Sequence, residues 1–363
     1  MTEVAVLFGG PSAEHDVSIL TGLQVVRALS PSRGTRAIYW SKSGDWFEVE
    51  ADLEAMDFLT GPPRSARALT LRLGADGGFY HRRRRLGIDV AVNCCHGGPG
   101  EDGTLSGVLQ LANIPFTGPR VSGAALGMDK YAFGKVIEAV GLPVLPRSIV
   151  GDDLADPPFP PPYLIKPRFG GSSIGIEIVE DIQTARALSV NSPHLRRGAI
   201  VEPFVAGGRD LNIAVRTYPS FQFSEIEEPH RAGTEGHAIL DYRDKYLAAG
   251  GLAGASRDLP ANISAEIRSQ IEDAARTITR SAEVRGLARI DFLLAGDHLY
   301  VNEINTIPGL LASYLWTNPP LTFATLLAEL VEEAQNDRWS YSSSGSDGTV
   351  LRSAKSIAAK LGL

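Results

Sequence analysis

Along Ala288–Gly309, ARIDFLLAGDHLYVNEINTIPG, polar and apolar positions alternate in two runs separated by a break. The runs Ala288–Ala295 and Leu299–Asn305 read as strands, and Gly296-Asp297-His298 as a three-residue hairpin loop. That loop length pairs Ala295 with Leu299, Leu293 with Val301, Asp291 with Glu303 and Arg289 with Asn305. A period of two then places Arg289, Asp291, Glu303 and Asn305 on one face. Two carboxylates directly opposite repel, and a cation between them relieves this. Carboxylate and amide oxygens are hard ligands, suited to Mg²⁺ rather than zinc. A solvated polar face is the other reading, but Asn-Thr-Ile-Pro-Gly leaves the strand abruptly, as site loops do.

The same patterning divides the rest of the chain. Val4–Phe8 is an apolar strand broken by Gly9-Gly10-Pro11-Ser12, and Asp16–Leu29 has helical spacing. Strand, glycine turn and helix open an α/β unit with a parallel sheet. Glu14 and His15 stand where the helix begins; a carboxylate there is stabilised by the helix dipole, or meets a substrate ammonium. Leu69–Leu73 and Gly78–Tyr80 form a hairpin, and Arg82–Arg85 a solvated basic edge. Ile88–Cys94 is a buried strand followed by HGGPGEDG, from His96, and a helix Thr104–Ala112. Ligands gather at such strand ends, which makes His96 a substrate candidate; the plainer reading is a glycine turn with Asp102 capping the helix. A helix carries Met128-Asp129-Lys130 and runs to about Val140.

Tyr163–Pro167, the loop Arg168–Ser173 and Ile174–Val179 read as strand, loop, strand. The loop is not a Walker A motif, yet Gly171, Ser172 and Ser173 can fold over phosphates with backbone N–H groups and hydroxyls. Lys166, inside an apolar strand, needs an anionic partner, either phosphate or carboxylate. Strands follow at Ala199–Val205, Asp210–Thr217 and Ser224–Glu228. The charged, glycine-rich stretch His230–Arg257 reads as a lid or a disordered loop. Helices are expected at Asn262–Ala282 and Thr322–Ala334, a linker at Ser340–Gly348 and a short helix at Ser353–Leu361.

Composition narrows the function. With 363 residues the chain is long enough for two or three domains, and its net charge of −7 argues against general nucleic-acid binding. The only cysteines, Cys94 and Cys95, are adjacent and form neither a disulfide framework nor a zinc cluster. No apolar run spans a bilayer and no signal h-region opens the chain, so a cytoplasmic setting is expected.

GGPSAEHDVS, HGGPGEDGTLSG, MDK, IKPRFGGSSIG, DYRDKY, RIDF and NEINTIPG occur in the order found in the D-alanine–D-alanine ligases of the ATP-grasp superfamily, which this chain resembles. The resemblance runs from about Val4 to Ala334. It implies an α/β (α+β) ATP-grasp fold: an N-terminal substrate domain at 1–118, a central ATP-grasp subdomain at 119–205, a C-terminal magnesium-binding domain at 206–336 and a tail at 337–363. It implies ATP, two Mg²⁺ ions, amino-acid substrates and a homodimer. Lys130 and Lys166 resemble phosphate-contacting lysines, and the GGSSIG hairpin resembles the loop that closes over the phosphates. Glu202 matches an adenine contact, and Asp210 stands where a Glu usually meets the ribose. Asp291, Glu303 and Asn305 match the metal ligands, and Arg289 with the Gly309 amide matches the oxyanion site. Glu14 resembles the carboxylate for the first ammonium, Ser172 and Tyr246 its partners, and Lys245 a lid contact to the acyl phosphate or second substrate.

One departure bears on specificity. Where the family continues with Phe-Thr and a later Ser, this chain reads Leu310-Leu311-Ala312-Ser313-Tyr314. Leu311 replaces the Thr, and Ser313 arrives one position early in the segment that binds the second substrate's carboxylate. Ser106 also replaces a usual Gln. Cell-wall dipeptide synthesis is the leading reading. The alternatives are the same mechanism on another amino-acid pair in natural-product biosynthesis, and an ATP-binding module without turnover.

Overall fold

The computed structural model describes residues 2–30, 34–151, 156–230, 256–337 and 342–353. Three sheets organise them. The first holds β1 (Glu3–Gly9), β2 (Gly34–Trp40), β3 (Trp46–Val49), β4 (Arg67–Arg72), β5 (Gly78–His81), β6 (Arg84–Arg85) and β7 (Val90–Asn93), in the order β6-β5-β4-β3-β2-β1-β7. Val4–Phe8 of β1 is apolar on both faces and fully buried, as suits a strand inside the sheet. It pairs in parallel with β2 and β7, and helix His15–Leu29 makes the crossover to β2. The sheet is mixed rather than parallel throughout. The short connections 41–45 and 73–77 cannot return the chain for a parallel partner, and β3 to β6 join antiparallel. The exposed arginines of β6 end the sheet at a charged edge.

The expected single helix through Met128-Asp129-Lys130 is two helices, Val121–Met128 and Lys130–Ala139. Asp129 leaves helical geometry and caps the second, accepting from the Tyr131 and Ala132 N–H groups at 3.1 Å each. Arg168 holds the same carboxylate through two further hydrogen bonds.

The second sheet, antiparallel, orders β8 (Ser148–Val150), β9 (Tyr163–Pro167), β10 (Glu177–Val179) and β11 (Ala199–Pro203) as β10-β9-β11-β8. The third orders β12 (Arg209–Arg216), β13 (Gln222–Pro229), β14 (Arg257–Asp258), β15 (Leu287–Ala295) and β16 (His298–Asn305) as β14-β13-β12-β15-β16. Helix Ala265–Ser281 buries Ile271, Ala275 and Ile278 against it. Helix Phe323–Asn336, capped by Thr322, packs Leu326, Leu327 and Val331 into the core beneath the first sheet.

The β15–β16 hairpin departs from the expected register in part. Arg289 pairs with Asn305 and Asp291 with Glu303, as the alternation requires. Beyond them Leu293 pairs with Tyr300, Leu294 with Leu299 and Ala295 with His298. The loop is therefore Gly296-Asp297 alone, a favoured tight hairpin pair. A bulge that leaves Asn302 unpaired restores the register on the polar side.

Candidate active site

A cavity between the second and third sheets is lined by Lys130, Lys166, Gly170, Gly171, Ser173, Glu202, Asp210, Arg289, Asp291 and Glu303, among others. Lys166, on β9, is buried, and its expected anion is Glu202 on the adjacent β11: Nζ donates to Oε1 at 2.6 Å. Burial lowers the lysine and would raise the glutamate, but Lys166 and Arg147 keep the Glu202 carboxyl below its ordinary value. Arg147 is equally buried and donates from Nε to Glu202 Oε2 at 3.1 Å, from Nη1 to the Lys130 carbonyl at 2.6 Å and from Nη2 to the Asn302 carbonyl at 2.5 Å. Glu202 thus meets two cations, which holds it beside the cavity in ionised form.

Across the cavity, Arg289 donates from Nε and Nη2 to the two Asp291 oxygens at 2.7 and 2.8 Å. Such a forked pair is strong and directional. Although burial opposes it, Asp291 holds the guanidinium firmly charged. Asn305 donates to Asp291 Oδ2 at 3.0 Å, and Lys130 Nζ lies 2.8 Å from Glu303 Oε2. Among the described residues no three His, Cys, Asp or Glu side chains are grouped as a metal site. Arg289 and Lys130 supply positive charge to the facing carboxylates.

A second, smaller cavity shares Lys130, Arg289 and Glu303 with the first and adds Glu14, His96, Glu101, Ser172, Asn305 and Gly309. Glu14, nearly buried, accepts a hydrogen bond from the Ser172 hydroxyl. Two glycines let the chain close around it. A Cβ on Gly97 would lie 2.4 Å from Glu14 Oε2, and one on Gly171 would lie 3.0 Å away. Gly97 also has φ +63°, where glycine is favoured.

Both ring nitrogens of His96 are engaged by protein. Nδ1 donates to the Ile307 carbonyl at 2.7 Å, and Nε2 accepts from the Thr21 hydroxyl at 2.9 Å. Burial lowers the ring to about 4, so it is neutral. Glu101 accepts from the Gly97 N–H at 2.9 Å and the Ile307 N–H at 3.2 Å. Burial, then Glu14, raises its carboxyl to about 7. His96 and Glu101 together fasten the HGG loop to the Asn-Thr-Ile-Pro-Gly loop.

The structure thus brings together around the two cavities Glu14, His96, Lys130, Lys166, Gly171, Ser172, Ser173, Glu202, Asp210, Arg289, Asp291, Glu303, Asn305 and Gly309. Ser313 lines neither; its neighbour Tyr314 lines the larger one. The reason is the turn Gly309–Leu315, where Leu310, Leu311 and Ala312 take φ of 51°, 48° and 47° and redirect the chain ahead of Tyr314. Lys245 and Tyr246 lie outside the described residues. Sequence reasoning missed Arg147, Asn302, Glu227 and Tyr314, and gave Glu101 no role although its motif was in view.

Two family models cover most of the chain: the D-ala D-ala ligase N-terminus matches residues 3–119 and the D-ala D-ala ligase C-terminus residues 158–332. A D-alanine–D-alanine ligase of Mycobacterium sp. (strain KMS) is 34% identical over 365 residues, covering 92% of this chain and 96% of the relative. That of Bradyrhizobium sp. (strain ORS 278) is 31% identical over 349 residues, covering 91% and 94%. Among solved structures, the D-alanine–D-alanine ligase of Coxiella burnetii superposes with a TM-score of 0.75 at 25% identity, covering 92% of this chain and 94% of the other. The VanG D-Ala:D-Ser ligase of Enterococcus faecalis gives 0.75 at 25% identity, covering 92% and 99%. With this sequence match over nearly its whole length, and with an ATP-grasp architecture, the chain belongs to the D-alanine–D-alanine ligase family of ATP-dependent dipeptide ligases.

Proposed function

We propose that this protein activates one amino acid with ATP as an acyl phosphate and joins it to the amine of a second, D-alanine with D-alanine being the leading pair. The observation that carries this reading is the meeting of the two cavities at Arg289, Lys130 and Glu303. An amino acid whose ammonium rests on Glu14 directs its carboxylate toward those residues, where the γ-phosphate of ATP also arrives. Lys130 and Lys166 offset phosphate charge, and the GGSS tip covers it with N–H groups and hydroxyls. Arg289, fixed by Asp291, then faces the oxyanion that forms when the amine attacks, with the Gly309 amide beside it. The leaving phosphate carries away the C–O bonding pair, and the amine loses its proton as the C–N bond forms. By resemblance, Tyr246 would partner Glu14 and Lys245 would contact the acyl phosphate or second substrate.

The donor set fits magnesium: two facing carboxylates and a neighbouring amide are hard oxygen ligands. Asp291, Glu303 and Asn305 would hold it, and such an ion would supply positive charge beside the transferring phosphoryl group. The resemblance also supports a homodimer, a cytoplasmic location and a role in peptidoglycan synthesis. No helix among the described residues is long and apolar enough to cross a membrane.

The test is ADP release from ATP with single and paired D- and L-amino acids, with products identified by mass. Release with D-alanine and formation of its dipeptide is the expected result. Coupled product only from another pair would move the assignment to a different substrate, a reading favoured by Leu311 standing where the family has a threonine. No amino-acid-dependent release would leave an ATP-binding module.

A further inference from the structure

The loop Arg168–Ser173 has little intrinsic preference for the shape it takes. Gly170 and Gly171 carry no side chains to pack. Ser172 and Ser173 take φ of 53° and 58°, a left-handed conformation that persists when the surroundings fix it. At the tip, Ser172 is tied to Glu14. At the entering end the tie is Arg168.

Arg168 donates from Nε to Asp129 Oδ1 at 2.8 Å and from Nη2 to Asp129 Oδ2 at 2.5 Å. Such a fork fixes orientation as well as distance. The Arg168 N–H donates to the Gly198 carbonyl at 2.9 Å, and the Arg168 carbonyl accepts from the Lys130 N–H at 3.1 Å. Its guanidinium carbon also lies 4.9 Å from the Phe169 ring centroid and 5.7 Å from that of Tyr131. Backbone and side chain of this one residue are therefore both held.

The partner of the fork is the residue that breaks the helix ahead of Lys130. Burial would raise the Asp129 carboxyl, but Arg168 and the Ala132 and Tyr131 N–H groups keep it below its ordinary value. The next residue, Lys130, reaches back into the loop, donating from Nζ to the Gly170 carbonyl at 2.5 Å. Arg168, Asp129, Lys130 and Gly170 thus close a circuit between two segments far apart in the chain. Both segments line the larger cavity, through Lys130, Gly170, Gly171 and Ser173.

Resting on the ligase reading, which brings the ATP phosphates to this corner, we propose that Arg168 is a positioning residue for phosphoryl transfer. Its fork onto Asp129 locks the GGSS loop to the helix that begins at Lys130. Loop and lysine then meet the phosphates as one unit, and water is kept from the acyl phosphate.

The test is the stoichiometry of the reaction. The full chain is given magnesium, ATP and a saturating amino-acid pair that it couples, and ADP and dipeptide are counted separately. The wild type is expected to release one ADP for each dipeptide. Arg168→Met is expected to raise that ratio about twofold or more, as loosened closure admits water to the intermediate. It should also raise the Michaelis constant for ATP by about tenfold. Asp129→Asn, which keeps a capping side chain but loses the charge, should shift both quantities the same way. The double variant should be no worse than the worse single one, because both remove the same link. If Arg168→Met does not fold, Arg168→Lys gives the comparison with a smaller expected rise, since an ammonium cannot form the fork. A folded variant that only unfolds more easily, with ratio and ATP constant unchanged, overturns the proposal while the ligase reading stands. Effects that add in the double variant overturn it too, by making the two residues independent. A wild-type chain that couples no amino acids sinks the ligase reading, and this inference falls with it.

Discussion

Lys166 and Asn302, from different sheets, meet at 3.1 Å, the lysine Nζ donating to the amide oxygen. Arg147 completes a ring by binding the Asn302 carbonyl and Glu202, which in turn accepts from Lys166. The ring joins β11, β9 and the bulge of β16, all of which border the larger cavity. Arg147→Met leaves the ring open and Glu202 with one cation. Breaking a buried pair in this way costs about 3–5 kcal/mol, so a lower midpoint in urea unfolding is expected. The Michaelis constant for ATP should also rise by about tenfold while that for D-alanine stays near wild type, since a lost ground-state contact acts on its own ligand. Arg147→Lys should restore little, because one ammonium cannot serve three acceptors lying in different directions. An unchanged ATP constant in Arg147→Met would reduce the ring to a packing feature.

Gly97→Ala should strike the first amino acid. The new Cβ would stand 2.4 Å from Glu14 Oε2, and the residue would have to hold φ +63°. The carboxylate must move, so a rise of about tenfold in the D-alanine constant of the first site is expected, with ATP binding unaltered. Gly171→Ala, whose Cβ would be 3.0 Å from the same oxygen, should show the same effect more weakly. Steady-state kinetics over a range of D-alanine concentrations, with ATP varied separately, reads both.

These features are unequally legible in the chain. Asp291 facing Glu303 follows from strand alternation alone, because period two fixes which side chains share a face. The bulge at Asn302 has no such signature, since inserting one unpaired residue changes no local composition. The loop, one residue shorter than expected, hides it, because the two differences cancel on the polar side. The break at Asp129 is readable as a capping residue, yet the apolar spacing runs through it. Arg147 and Glu202 are 55 positions apart, and His96 and the Ile307 carbonyl 211. Neither contact leaves a local pattern, so each waits on the tertiary fold. The phosphate role of Lys130 and the oxyanion role of Arg289 came only through the family resemblance of their motifs, whereas Glu14 at the helix start already read as a carboxylate that an ammonium could meet.

The pH dependence of stability has two opposed contributions from the loops around Glu14. His96 is lowered by burial from 6.5 to about 4, so between those values the unfolded chain binds more protons. Its contribution is present above pH 6.5 and is lost toward pH 4, about 3 kcal/mol in full. Glu101 is raised by burial and by Glu14 from 4.5 to about 7, so its contribution is present below 4.5 and fades toward 7. In urea unfolding between pH 4.5 and 7 the two nearly offset in the wild type, so His96→Gln should make stability fall as pH rises and Glu101→Gln should make it climb. Identical slopes in all proteins would mean that neither group is desolvated in solution as it is in the structure.

Asp291→Asn tests whether the facing carboxylates serve a cation or only hold the hairpin. Asp291 now accepts two hydrogen bonds from Arg289 and one from Asn305, and an amide can accept at one oxygen only. If the role is purely structural, the variant should unfold more easily but keep its magnesium requirement once folded. If Asp291 is a ligand, the magnesium concentration for half-maximal ADP release should rise. Turnover should also fall by about 10²-fold or more, because the ion and the orientation of Arg289 are weakened together. Glu303→Gln separates these two effects. It removes the facing carboxylate and the partner of Lys130, yet leaves the Arg289–Asp291 fork in place. A rise in magnesium requirement in both variants, with the larger loss of turnover in Asp291→Asn, is the expected pattern. A magnesium requirement unchanged in both would remove the ion from this hairpin and leave its facing carboxylates to Arg289 and Lys130.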